Sequence, residues 1–321
     1  MVSDSDLSNA LGQRRRAPPG GVTRRIMTAN GGTIRTVVWQ PEHSVCGAII
    51  LLHGRGEFIE KYHETIADFL HRGWAVFSFD WQGQGLSSRL LRDPYKAHID
   101  DFIRYEDDLQ RFMTEVVAKT GSLPRIAIAH SFGALVTLHY ARKYPDAFTK
   151  MVLLAPMISL ALPRFLPAGL ASFLVKLICL CGFSDTYLPG RPGDYLRGRP
   201  FEGNRLTSDP KRFKDVEVWI TAQPGLAVGG PTFGWLRAAF RSMEAAAEPS
   251  FAAAMKTPTL ILCAGDDSVV DIKAQENLAQ KMPVATLIKI SGAKHEILKE
   301  RDDIRNLALS LIDRFITPNP Q

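Results

Sequence analysis

The feature that most constrains this chain is the run Ile126-Ala127-Ile128-Ala129-His130-Ser131-Phe132-Gly133-Ala134. An apolar run of strand character leads into a serine with small residues two positions away on either side, and a helix-like stretch from Ala134 to Tyr144 follows at once. The pattern predicts a strand, a sharp turn and a helix, an elbow that holds the serine in a strained backbone conformation and presents its oxygen to a cleft. Strand and helix must then pass closely, which requires small residues at 129 and 133. The usual spacing is Gly-x-Ser-x-Gly, and here Ala129 stands in place of the first glycine.

Around this elbow the chain alternates between strand-like and helix-like segments. Val22 to Thr28 and Thr33 to Trp39 flank Asn30-Gly31-Gly32 and read as a hairpin. The continuous apolar run Gly47 to Leu52 suits a strand covered on both faces. A helix from about Lys61 to His71, a strand Trp74 to Phe79, a helix within Phe102 to Lys119 and the strand entering the elbow follow. Met151 to Ala155 is the next strand. The alternation then stops for about a hundred residues, too long for an ordinary loop. That stretch is punctuated by Pro163, Pro167, Pro189, Pro192, Pro200 and Pro210, and includes a helix-like apolar segment from Leu170 to Phe183. Strands resume at Thr259 to Ala264 and Ala285 to Ile290, each followed by helical spacing. The fold class expected is therefore α/β, a mostly parallel central sheet with helices on both faces and an inserted helical cap. The expected divisions are a disordered basic tail (1–21), a core (22–155 and 256–321) and the cap (156–255).

A serine hydroxyl is a weak nucleophile until an imidazole accepts its proton, and the imidazole needs a carboxylate to fix its tautomer. In a sheet of this kind the order along the chain is serine, acid, histidine, each at the carboxyl end of a strand. The chain supplies that order: one late strand runs into Gly265-Asp266-Asp267 and the last into Ser291-Gly292-Ala293-Lys294-His295. Ser131, Asp267 and His295 are thus the candidate catalytic residues, with Asp267 chosen over Asp266. Asp271 reads as a helix N-cap. His130, beside the serine, is expected to point away from it, and His53 to organise the first loop. For the oxyanion, the backbone N–H groups of Phe132, after the serine, and of Arg55, in the loop after the third strand, are the candidate donors. Gly54 and Gly56 would let that loop turn inward.

With these residues in place the chain resembles the serine hydrolases of the α/β-hydrolase family, in particular the monoacylglycerol lipase and bacterial lysophospholipase branch. The resemblance is carried by His53 to Tyr62, Phe79 to Arg89, Ala129 to Ala134, Ala264 to Asp271 and Gly292 to Ile297, and runs from about Thr28 to the C-terminus. It implies the same nucleophile, acid, base and oxyanion donors, and a structural role for Glu57. The implied activity is hydrolysis of a carboxylic ester bearing one acyl chain, with Leu160 to Leu166 and Leu170 to Phe183 either lining an acyl tunnel or forming the cap's own core. A short-chain esterase, a thioesterase or a proline-type aminopeptidase on the same triad is the alternative, the last needing an acidic anchor such as Glu202, Glu217 or Glu244. A non-catalytic binding protein of this fold is a third reading, disfavoured by the presence of every expected catalytic residue type.

Neither a cofactor nor a metal is implied. Cys46, Cys179, Cys181 and Cys263 are too scattered for a disulfide scaffold and are expected to be buried thiols. The net charge of +6 sits on the N-terminal residues and on the segment 156–255. Such a surplus suits an anionic membrane surface or simply solubilises exposed faces. No recognition motif or basic stripe with interleaved aromatics points to nucleic acid. The first 21 residues lack the apolar core of a secretory signal. The expected location is cytoplasmic, with peripheral contact at the inner face of the membrane left open, and the sequence is silent on oligomeric state.

Overall fold

The computed structural model describes residues 12–43, 45–190, 193 and 198–317. Eight strands form one sheet in the order β1-β2-β4-β3-β5-β6-β7-β8. They are β1 (Val22–Met27), β2 (Thr33–Trp39), β3 (Gly47–Leu52), β4 (Trp74–Phe79), β5 (Arg125–His130), β6 (Lys150–Leu154), β7 (Thr259–Ala264) and β8 (Ala285–Ile290). The β1–β2 hairpin and the β2–β4 pair are antiparallel, and every later pairing is parallel. Every residue of β3, β4 and β7 is buried, which their uninterrupted apolar runs require of strands covered on both faces. At the edge, β1 is largely exposed and carries Arg24 and Arg25, charges that discourage pairing with another chain.

The helices of the first half are α1 (His63–His71), α2 (Ile103–Glu115) and α3 (Phe132–Lys143). Between β6 and β7 come α4 (Ala168–Leu180), α5 (Pro210–Ala222), α6 (Phe233–Ala247) and α7 (Pro249–Ala253), and the chain closes with α8 (Ile272–Lys281) and α9 (Asp302–Ile316). Asp209 caps α5 by accepting from the Lys211 and Arg212 N–H groups, with Pro210 at the first helical position. From β3 the chain crosses to β4 on one side and returns to β5 on the other. The crevice at such a reversal is where ligands of open α/β sheets bind. It is flanked here by the loop after β3 and by the turn holding Ser131.

Two expectations are corrected. Residues 12–21 are not a disordered tail: the Pro18 carbonyl accepts a 3.1 Å bond from Trp39 Nε1, and Arg15 pairs with the buried Asp215 of α5. The Asp215 carboxylate faces both Arg14 and Arg15 and ties this segment to α5. The part of that tail at 1–11 lies outside the described residues. Cys179 and Cys263 are buried, but Cys46 and Cys181 are exposed, because they lie in loops at the ends of elements rather than on an inward face.

Candidate active site

Ser131 joins β5 to α3 with φ +54°, a region that residues bearing a Cβ rarely occupy. The strand ladder reaches the serine itself, whose N–H donates to Leu154 O at 3.0 Å, and α3 begins at the next residue. Beneath the turn the Phe132 ring packs against Trp81, Phe102, Tyr105 and Trp235, and Trp81 Nε1 donates to His53 O at 2.9 Å. An aromatic cluster therefore fixes the elbow and the loop after β3 against each other.

The three candidate catalytic side chains meet. His295 Nε2 lies 2.9 Å from Ser131 Oγ, and its Nδ1 lies 2.8 Å from Asp267 Oδ2. The other oxygen of Asp267 accepts from the N–H groups of Val269 (2.8 Å) and Val270 (3.1 Å). Burial alone would raise this carboxyl, but the His295 hydrogen bond, the histidine's charge and the two N–H donors bring it below the ordinary aspartate value. Asp266 is exposed, and Asp271 caps α8 through Lys273 N–H. The arrangement can pass a proton from the serine to the imidazole while a fixed anion orients the ring.

In the loop after β3, Gly54 N–H is held by Glu57 Oε2 and Gly56 N–H by Gln84 Oε1. The N–H groups of Arg55, between those glycines, and of Phe132 meet no acceptor among the described residues. The Arg55 side chain turns away toward the 229–235 segment, donating to Gly229 O at 3.1 Å and lying over the Trp235 ring.

A cavity of about 580 Å³ opens on Ser131 and His295, within the roughly 300–1,000 Å³ common for small-molecule sites. Its walls are mainly apolar and come largely from the segment between β6 and β7, including Leu160, Leu162, Val175, Ile178, Leu236 and Phe240. Of the three acidic anchors considered, Glu217 reaches this cavity, whereas Glu202 and Glu244 do not. Its floor beside the serine is charged, a feature the sequence reading left out: Glu57, Lys61, His130 and Glu296 all line it. The Glu57-x-x-x-Lys61 spacing was the available signal, since residues four apart on a helical turn face each other.

Residues 43–302 match the family model described as serine aminopeptidase, S33. This protein belongs to the S33 family. Among curated relatives, the chain is 32% identical over 277 residues to the probable lysophospholipase L2 of Haemophilus influenzae, covering 86% of each chain. Similarity to lysophospholipase L2 of Escherichia coli K12 is 31% over 279 residues, 83% of this chain and 79% of that one. Among solved structures, a soluble variant of Saccharomyces cerevisiae monoglyceride lipase superposes with a TM-score of 0.73 at 19% identity, over 93% of this chain and 96% of that one. The S33 chain thus has the α/β-hydrolase fold that its motifs led us to expect.

Proposed function

We propose that the protein hydrolyses the carboxylic ester of a single-acyl-chain lipid, a lysophospholipid or a monoacylglycerol, through an acyl-enzyme on Ser131. The observation that carries this reading is the continuous Asp267–His295–Ser131 chain opening into an apolar cavity. His295 takes the serine proton as Oγ attacks the ester carbonyl, and Asp267 stabilises the imidazolium. The oxyanion is received by the free N–H groups of Arg55 and Phe132. The imidazolium then protonates the leaving alcohol, and a water activated by the same imidazole releases the fatty acid. The relatives named lysophospholipase support the substrate class.

The segment 156–255 is read as a cap that selects the acyl chain. Its helix α4 has two apolar sides. Ala171, Leu174, Val175 and Ile178 line the cavity, while Leu170, Phe173, Leu177 and Leu180 are exposed, as are Phe165 before the helix and Phe183 after it. Neither the tunnel nor the self-packed cap describes α4 alone, since its outer row is exposed. Between 157 and 184 the charged residues are Arg164 and Lys176, so this face suits peripheral contact with an anionic lipid surface. No helix among the described residues is long and apolar enough to cross a membrane. A peptidase reading rests on Glu217 in the cavity wall, where it accepts from Gly198 N–H.

The test is a matched panel of lysophosphatidylcholine, monoacylglycerol, p-nitrophenyl esters from acetate to palmitate, and a proline arylamide, on wild type and Ser131→Ala. Serine-dependent preference for long single chains is the expected result. Equal rates on acetate and laurate esters would remove the acyl-tunnel reading, and cleavage of the arylamide alone would replace it with the peptidase.

A further inference from the structure

Four ionisable side chains that the hydrolytic steps do not use are buried together against the back of the site. Glu57, Lys61, His130 and Glu296 are each at least nine-tenths buried. Lys61 Nζ donates to Glu57 Oε1 at 2.7 Å and to Glu296 Oε1 at 2.6 Å. Glu57 Oε2 accepts from Tyr62 Oη at 2.8 Å, from His130 Nδ1 at 3.0 Å and from Gly54 N–H. His130 Nε2 lies 3.1 Å from the backbone carbonyl oxygen of His295.

The partners of His130 decide its charge. One ring nitrogen faces a carboxylate and the other a carbonyl oxygen, and neither of these can donate. A neutral imidazole has one N–H, so satisfying both bonds requires the doubly protonated ring. The groups facing it are Glu57 and Glu296, which favour that charge, Lys61, which opposes it, and the ring of His295, whose centroid is 4.8 Å away. With His130 and Lys61 cationic and the two glutamates anionic, the four charges cancel, as a buried cluster requires.

Building on the hydrolase reading above, we propose that Glu57 is the positioning residue of this site. Through an imidazolium on His130 and the ammonium of Lys61, it holds three loops in register. Its carboxylate binds the N–H before Arg55 in the oxyanion loop, the residue before Ser131, and, by way of Lys61 and Glu296, the residue after His295. His130 also grips the carbonyl of the general base itself. Loss of its second proton at alkaline pH leaves one of its two acceptors without a donor and loosens His295. The direction of its titration agrees: burial lowers its proton affinity, but Glu57 more than restores it, and it ends above the ordinary histidine value.

Two measurements test this. In Ser131→Ala labelled with ¹⁵N-histidine, and with His130 assigned by loss of its signal in His130→Gln, both ring nitrogens of His130 should be protonated at pH 7.5. A neutral ring there overturns the proposal whether or not any ester is cleaved. On a soluble p-nitrophenyl ester, Glu57→Gln should lower kcat by about 100-fold, the scale of a misplaced catalytic group, and leave KM within about threefold. Its alkaline limb should move down by about one pH unit or more, because the imidazolium has lost its counter-ion. His130→Gln, which cannot titrate, should lose that limb altogether and serves if Glu57→Gln does not fold. Profiles of either variant that superimpose on wild type overturn the proposal. If the wild type cleaves no ester, the hydrolase reading fails, and the ring-nitrogen spectra still decide the charge on His130.

Discussion

A Cβ built on Gly133 would lie 2.5 Å from the carbonyl oxygen of His53, closer than a Cβ atom can approach a backbone oxygen. Helix α3 therefore passes the end of β3 with no room for a methyl group, and the close approach sets the spacing between Ser131 and the oxyanion loop. Gly133→Ala should lower stability by about 1–3 kcal/mol, the usual cost of overpacking. It should reduce ester hydrolysis more than stability, and thermal unfolding and turnover of one protein batch will show whether the two effects separate.

Asp267 and Asp266 are adjacent, yet one has a fully buried side chain bonded to His295 and the other is exposed. Asp267→Asn should cost on the order of 10⁴ in kcat, because the imidazole loses its tautomer control. Asp266→Asn should stay within about twofold of wild type, as surface substitutions do. Comparable losses in both variants would reassign the acid.

Asp80 is buried and accepts from Arg35, whose Nη2 lies 2.6 Å away, and from the N–H groups of Ile59 (3.0 Å) and Leu86 (2.7 Å). Burial raises this carboxyl, but Arg35, His53 and the Leu86 N–H together bring it below the usual aspartate value. Its folded value is thus the lower one. Its contribution to stability is complete above the unfolded value of about 3.9 and is lost as pH falls through the folded value. Urea unfolding should show Asp80→Ala destabilised by about 3 kcal/mol or more at pH 7, the scale for breaking a buried pair. The variant should also lose less further stability than wild type between pH 5 and about pH 3. An unchanged acid slope would show that Asp80 does not carry this dependence.

Phe173 is 61% and Leu180 73% exposed on the outer side of α4, and neither lines the cavity. Phe173→Glu with Leu180→Glu should weaken binding to phosphatidylglycerol vesicles at least about tenfold, since a buried apolar side chain contributes roughly 1.5–3 kcal/mol. Hydrolysis of p-nitrophenyl butyrate in solution should be unchanged. Equal vesicle sedimentation of wild type and variant would dismiss this face as the contact.

Much of this protein was legible in the chain alone. The apolar runs of β3, β4 and β7 admit only buried strands, and the small residues at 129 and 133 admit a tight strand-to-helix turn. The order of Ser131, Asp267 and His295 at three strand ends identified the side chains that now stand within hydrogen-bond distance. These features are local, or repeat with the period of an element, so sequence carries them directly. Tertiary structure alone decided the rest. Lys61 meets Glu296 across 235 positions of sequence and Arg15 meets Asp215 across 200. Nothing in the neighbourhood of either partner announces such a pair. Whether Cys181 is exposed, and which side of α4 faces the cavity, depend likewise on how the segment between β6 and β7 is laid over the sheet. Periodicity tells an amphipathic face from a polar one, but when a helix is apolar on two sides, only the packed neighbours determine which side is covered.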